Sequence, residues 1–123
     1  FVIIRKAIGL GKLAMTGGGM KKGVFAVSWP TGEFAGMGIE GQVKLGRRKE
    51  LAAIADQAER IAAYEKWVAE LYDIGKALNV GSFFQVDDVI DPAETRRWIL
   101  AGLRSVPPRP VRQGKKRPWV DGW

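Results

Sequence analysis

Apolar and polar positions near the start of the chain predict a strand, a turn and a short helix in close succession. Residues 1–4 form a continuous run of aromatic and β-branched side chains, which is typical of a buried strand. The Gly-Leu-Gly of residues 9–11 predicts a turn, and residues 12–16 predict the helix. Such a turn can direct consecutive backbone N–H groups into a cleft, where they suit an oxyanion or a phosphate. The same pattern is also consistent with a tight connection of purely structural role.

Two more short strands are predicted after this helix. Glycines 17–19 are expected to end the helix, and residues 23–28 and 33–38 then have strand-like patterns. Pro30 fixes its own φ between them and predicts a turn at residues 29–32. The small residues at the end of the second strand leave room for a ligand or for close approach of another backbone segment.

From Gly41 onward the apolar spacing changes to three and four residues, which is typical of a helix. The resulting stripe predicts one long amphipathic helix or two helices in line. The stripe consists of Leu51, Ile54, Ala58, Ile61, Tyr64, Val68, Leu71 and Leu78. A stripe of this size is expected to be buried against its own subunit or a neighbouring one.

A second helix start follows an acidic segment. Asp91 is expected to be the N-cap, Pro92 the first helical residue and Glu94 the partner in a capping box, with the helix ending near Arg104. Residues 83–89 predict a short strand or turn whose two aspartates have a solvated or capping role, because adjacent strand residues point in different directions. The Pro- and Arg-rich residues 106–123 predict an extended tail.

Composition restricts the chemistry. The chain has 123 residues and contains no Cys and no His, which excludes a thiolate nucleophile, an imidazole base and an ordinary zinc cluster. Lack of Cys fits a reducing compartment. No apolar run approaches the roughly 20 residues needed to span a bilayer, so no membrane partner is expected. Because Phe1 lies inside a predicted strand, the natural polypeptide is expected to begin upstream, and we treat the chain as a fragment.

The net charge of +7 is unevenly distributed. Residues 1–49 carry +7, residues 50–103 carry −5 and residues 104–123 carry +5. A basic front followed by an acidic middle favours a phosphate-bearing small substrate or an acidic partner over nucleic acid. The basic tail is expected to lie on a neighbouring surface rather than to bind DNA.

Several motifs, taken in order, resemble a known family. The motifs are, in order, RKAIGLG, WPTGEFAGMG, a long helix and VDDVIDPAETRRWI. Together they resemble the C-terminal part of the carboxyltransferase (beta) subunit of biotin-dependent acyl-CoA carboxylases. This family is the propionyl-, acetyl- and methylcrotonyl-CoA carboxylase group. The resemblance covers roughly residues 2–105 and implies an α/β, crotonase-like spiral of ββα units. Residues 1–105 are thus expected to be a C-terminal carboxyltransferase domain truncated at its N-terminus, carrying a long helical segment and followed by the basic tail of residues 106–123.

The resemblance also implies an activity and a site. The expected reaction transfers CO₂ from carboxybiotin to the α-carbon of an acyl-CoA, with the backbone N–H groups of Leu10 and Gly11 forming an oxyanion hole for the ureido oxygen of biotin. Gly9, Leu10, Gly11, Met37 and Gly38 are the expected biotin contacts, and no metal is expected. Where the family often has an acid, this chain has Leu13, which implies a more apolar acyl pocket and a longer or branched acyl chain than acetyl.

Expected partners follow from the same resemblance: other copies in a hexamer, a biotin carboxylase with a biotin carboxyl carrier, and acyl-CoA. The segment alone is expected to be inactive, since the second oxyanion hole belongs to the N-terminal domain of the family. The expected location is the bacterial cytoplasm or, alternatively, the mitochondrial matrix. A biotin-dependent acyl-CoA decarboxylase subunit and a non-enzymatic, basic-tailed interaction module remain as alternative functions.

Overall fold

The computed structural model of the chain describes residues 1–108, 111 and 114. Its strands are β1 (Val2–Ile3), β2 (Lys6–Ile8), β3 (Val27–Ser28), β4 (Glu33–Ala35) and β5 (Asp88–Val89). Its helices are α1 (Gly9–Met15), α2 (Ile39–Gly46), α3 (Arg48–Ala53), α4 (Gln57–Ile74), α5 (Ala77–Ser82) and α6 (Thr95–Ser105), with short 3₁₀ turns at Met20–Lys22 and Pro92–Glu94. Most of the predicted tail lies outside the described residues.

Two small parallel sheets organise the chain. One sheet has the order β1-β3-β5, with Val2 opposite Val27 and Ser28 opposite Val89. The other pairs β2 with β4, with Ala7 opposite Phe34. The chain thus visits first one sheet, then the other, then a helix, and it repeats this sequence of two strands and a helix from β3 to α2.

The predicted strand over residues 1–4 is wrong in extent. β1 ends at Ile3, and Ile4 is exposed because the chain leaves one sheet there to enter the other. The carbonyl of Arg5 already accepts a hydrogen bond from the N–H of Glu33 at 2.8 Å. The partner strands, about 25 residues away along the chain, therefore decide where β1 ends.

The core lies where β2 and β4 meet α5. Ala7, Phe34, Ala77, Val80 and Val86 are buried together there. The segment that leads into α5 lies along β4, since the N–H of Phe34 donates to the carbonyl of Gly75 at 2.8 Å. A Cβ on Gly75 would clash with the carbonyl oxygen of Phe34, so this backbone approach requires glycine.

The prediction of one long helix, or two in line, over the apolar stripe is wrong. The stripe is divided among α3, α4 and α5, with breaks before Gln57 and after Ile74. Asp56 caps α4 through a hydrogen bond from the N–H of Glu59 at 2.8 Å, and Gly75 ends it. None of the stripe residues is buried within the described chain, so burial of the stripe in its own subunit is not observed here.

Polar and aromatic contacts hold α4 against α2. The hydroxyl of Tyr72 donates to Glu40 at 2.9 Å, and the guanidinium of Arg47 lies 4.5 Å from the ring centre of Trp67. The apolar residue Ile61 of α4 remains half exposed. Among the described residues, no helix is both long and apolar enough to cross a bilayer.

The predicted start of the last helix is confirmed at its cap. Asp91 accepts a hydrogen bond from the N–H of Ala93 at 2.8 Å, and Pro92 occupies the first turn, which is 3₁₀. The capping-box prediction is wrong, because the Glu94 carboxylate pairs with Arg97 instead.

Candidate active site

The connection from β2 to α1 is built on one left-handed glycine. Ile8 is extended, with φ −120° and ψ 137°, and Gly9 then has φ +64°, a backbone conformation that side chains with a Cβ rarely adopt. The chain turns at this residue and enters α1 directly. Gly17 and Gly18 have φ of +65° and +95°, which confirms their predicted role in ending the helix.

The predicted boundary between turn and helix is wrong by three residues. We expected a turn at residues 9–11 and a helix over 12–16, but α1 spans Gly9–Met15, so Leu10 and Gly11 lie in its first turn. Gly9 alone turns the chain, which is why α1 begins three residues earlier than predicted. The N–H groups in the first turn of a helix have no intrahelical acceptor, so Leu10 and Gly11 still present backbone donors.

These two residues are accessible. Leu10 is 81% exposed. Gly11 is exposed too, and a Cβ added to it would meet no atom within 4 Å. Both residues are therefore accessible from solvent, as a site for a bound group requires.

The loop after β4 lies against this turn. β2 and β4 are parallel neighbours, so their carboxyl ends reach the same edge of the sheet. A Cβ on Gly9 would lie 3.8 Å from the carbonyl oxygen of Gly36 and from Cα of Met37. The structure thus brings Gly9 beside Met37, while Gly38 is the N-cap of α2. This places the proposed biotin contacts from two separate sequence motifs on one edge.

A cavity of about 350 Å³ begins at the same loop and extends between β4 and the surrounding helices. Eight of its eleven lining residues are apolar or glycine and three have polar side chains, and its exposed surface is about equally polar and apolar. The lining residues are Lys12, Phe34, Ala35, Gly36, Ile39, Gln42, Leu71, Ile74, Gly75, Val80 and Gln85. Its volume is within the range of roughly 300–1,000 Å³ that small-molecule sites occupy.

Lys12, rather than Leu13, is the residue of α1 that lines this cavity. Leu13, which we predicted as a pocket residue, is 37% exposed and is not part of the lining. Lys12 was missed because its neighbours are distant in sequence. The one available sequence signal was a cation directly after the second glycine of the Gly-Leu-Gly motif.

Carboxylates near the site are fixed by structural contacts. The pKa of the Glu40 carboxyl is lowered by a hydrogen bond from its own backbone, by the Tyr72 hydroxyl and by the nearby Lys6 and Lys44. Hydrogen bonding to Glu40 in turn raises the pKa of Tyr72. Neither group lines the cavity, so their role is to hold α2 against α4.

Asp87 joins distant segments of the chain, instead of the solvated or helix-capping role that we predicted. Its carboxylate accepts from the ammonium of Lys21 at 2.6 Å and from the N–H of Ala26 at 2.7 Å. These two contacts lower the pKa of Asp87. The described residues contain no group of three or more metal-binding side chains placed to hold a metal ion. The polar groups that the described residues present at this edge are backbone donors, Lys12 and the amides of Gln42 and Gln85.

The sequence matches the carboxyl transferase domain family over residues 1–117, so the chain belongs to that family. The expected crotonase-like fold is confirmed by solved carboxyltransferases. The transcarboxylase 12S structure, described as a hexamer with methylmalonyl-CoA and methylmalonic acid bound, aligns with a TM-score of 0.72 and 35% identity over 94% of this chain and 22% of that one.

Individual relatives share this family. The methylmalonyl-CoA carboxyltransferase 12S subunit of Propionibacterium freudenreichii is 41% identical over 83% of this chain and 19% of its own length. The propionyl-CoA carboxylase carboxyltransferase subunit of Haloferax mediterranei is 36% identical over 73% of this chain and 17% of its own. A single-chain, multi-domain long-chain acyl-CoA carboxylase is 46% identical with a TM-score of 0.64, over 81% of this chain and 9% of that one. The chain thus spans about a fifth or less of these relatives.

Proposed function

We propose that this chain is the biotin-side part of a carboxyltransferase subunit that works in a biotin-dependent acyl-CoA carboxylase. Membership of the carboxyl transferase domain family carries the proposal, and the 41% identity to a carboxyltransferase subunit supports it. The reaction moves a carboxyl group to the α-carbon of an acyl-CoA and so forms a C–C bond. The second half of the active site belongs to parts of the subunit beyond this chain.

The N–H groups of Leu10 and Gly11 are the proposed oxyanion hole for the ureido oxygen of biotin. Open space in front of Gly11 and the glycine-lined edge beside Gly9 fit a flat ring that approaches the backbone closely. When bound, carboxybiotin supplies the activated carboxyl group. The chain contributes fixed donors, each worth about 3–4 kcal/mol of stabilisation for developing negative charge. Since the donors are held by α1, they need no reorganisation during the reaction.

Met37 and Gly38 complete the proposed biotin contacts. Met37 is 40% exposed and follows β4 at the edge where Gly9 lies. A flexible thioether side chain at this position adapts to an apolar ring face. Gly38 begins α2 without a side chain, which keeps the entry to the site open.

The proposed acyl substrate is longer or more branched than acetyl. Leu13 places an apolar side chain on α1, although it does not line the neighbouring cavity, whose walls include Phe34, Ile39 and Leu71. The 46% identity to a long-chain acyl-CoA carboxylase favours the same class of substrate.

The proposed assembly is a hexamer that works with a biotin carboxylase and a biotin carboxyl carrier. The apolar stripe supports subunit contacts, because Ile61 and Leu78 remain 49% and 70% exposed in the described chain. Ile61 lies on α4, which has no buried residue, and exposed apolar side chains of this kind are typical of a surface that another subunit covers.

Isolation of the native complex tests this function. The full-length subunit is purified with its natural partners, and ATP-dependent incorporation of labelled bicarbonate into acyl-CoA is measured. We expect a biotinylated protein in the complex and avidin-sensitive carboxylation of acyl-CoA. A complex without a biotinylated component, or one that carboxylates no acyl-CoA, would contradict the proposal.

A further inference from the structure

Lys12 is a half-buried cation between two hollows of the molecule. It lines the cavity beside β4, and it also borders an open groove along β1 and β2 that contains Gly11. Lys12 takes part in none of the three ion pairs that the described residues form. Among the described residues its ammonium therefore has no ion-pair partner, and the residue borders both the cavity and the groove that contains Gly11.

Apolar side chains form part of the cavity behind Lys12. Phe34, Ile39 and Val80, which are 5%, 2% and 6% exposed, lie along it, and Leu71 and Ile74 complete its apolar walls. The amides of Gln42 and Gln85 are its other polar side chains. The lining thus combines one cation, two neutral amides and apolar side chains, a mixture that suits an anionic amphiphile.

We infer that Lys12 binds the free carboxylate of the carboxylated acyl group, while the cavity holds the hydrocarbon chain of that group. The inference rests on the proposed function, because carboxylation of the α-carbon produces a thioester with a new carboxylate and an alkyl chain on one carbon. A single bound molecule then satisfies the cation and the apolar walls together. Lys12 is thus a specificity-determining residue that distinguishes the product from the uncarboxylated substrate.

Binding of two matched thioesters to the assembled full-length enzyme tests this inference. Octanoyl-CoA and 2-carboxyoctanoyl-CoA differ only in the carboxylate, and calorimetry gives the affinity for each. We expect Lys12→Met to bind 2-carboxyoctanoyl-CoA about 10–100-fold more weakly, as expected for loss of a charge-assisted hydrogen bond, and to leave octanoyl-CoA affinity nearly unchanged. Lys12→Arg keeps the charge and is expected to retain most of the preference.

Lys22→Met is the matched control. Lys22 is exposed in the 3₁₀ turn Met20–Lys22 and lines neither hollow, so its removal changes net charge without changing the site. Equal affinity of wild type and Lys12→Met for 2-carboxyoctanoyl-CoA would overturn the inference, as would an equal loss in Lys22→Met. Avidin-sensitive carboxylation by the wild type, measured in parallel, tests the proposed function separately, so failure of one is distinguishable from failure of the other.

Discussion

Replacement of Gly75 by alanine tests how α5 is held against the sheet. The N–H of Phe34 donates to the carbonyl of Gly75 at 2.8 Å, and the N–H of Ala77 donates to the carbonyl of Gly32 at 2.9 Å. The new Cβ would clash with the Phe34 carbonyl oxygen and lie 3.3 Å from that of Leu71. Both atoms belong to backbone within regular elements, so neither can move without loss of these hydrogen bonds.

The expected cost follows from this geometry. Overpacking of a filled site costs about 1–3 kcal/mol, and a weakened backbone hydrogen bond costs about 1 kcal/mol more. The φ of Gly75 is −76°, which alanine adopts readily, so backbone strain adds nothing. We therefore expect Gly75→Ala to destabilise this region by about 2–4 kcal/mol, entirely through the steric contact.

Hydrogen exchange in the full-length enzyme measures this effect locally. Amides of residues 34 and 77 are expected to exchange about 30-fold faster or more in Gly75→Ala, because local opening becomes less costly. Gly46→Ala is the control, since its Cβ meets no atom within 4 Å at the end of α2 and alanine favours helix there. Unchanged exchange in Gly75→Ala would refute the reasoning from close backbone packing.

Two further predictions concern stability and assembly. The pKa of Asp87 in the folded state lies below its ordinary value of 3.8. The ionised carboxylate therefore stabilises the fold at pH values above the unfolded pKa, and this contribution is lost as pH falls through the folded pKa. Asp87→Asn should accordingly speed amide exchange at Ala26 near neutral pH and make little difference under strongly acidic conditions; a pH-independent effect would contradict this. Ile61→Lys should weaken subunit assembly in native mass spectrometry, and an unchanged assembly would count against the stripe as an interface.

The sequence best predicted the features that depend on residues close together along the chain. The cap at Asp91 and the helix end at Gly17 and Gly18 depend on residues within a few positions of one another, so the pattern is sufficient. The end of β1 and the division of the stripe into three helices were not predicted. Those features depend on strand pairing and on backbone contacts of Gly75 with a distant strand, which periodicity does not report.

The candidate site was predictable only in part. The family resemblance connected the Gly9 motif with Met37, and the structure places them beside each other. The early start of α1 follows from the left-handed backbone of Gly9, which composition alone does not reveal. Lys12 was overlooked because its position between two hollows depends on residues from six other elements.

The proposed oxyanion hole is tested most directly by two substitutions at Gly11 in the assembled enzyme. Gly11→Pro removes the N–H, and proline is tolerated in the first turn of a helix, where that N–H has no intrahelical acceptor. Gly11→Ala keeps the N–H and adds a Cβ where no atom lies within 4 Å, and Leu10→Ala likewise keeps its backbone donor.

Biotin-dependent carboxylation and acyl-CoA affinity are measured for all three variants, with folding and assembly checked independently. We expect Gly11→Pro to lose on the order of 10²–10³ in rate with acyl-CoA affinity nearly intact, whereas Gly11→Ala and Leu10→Ala retain substantial turnover. A Gly11→Pro enzyme that folds, assembles and carboxylates at the wild-type rate would show that this turn does not form the oxyanion hole.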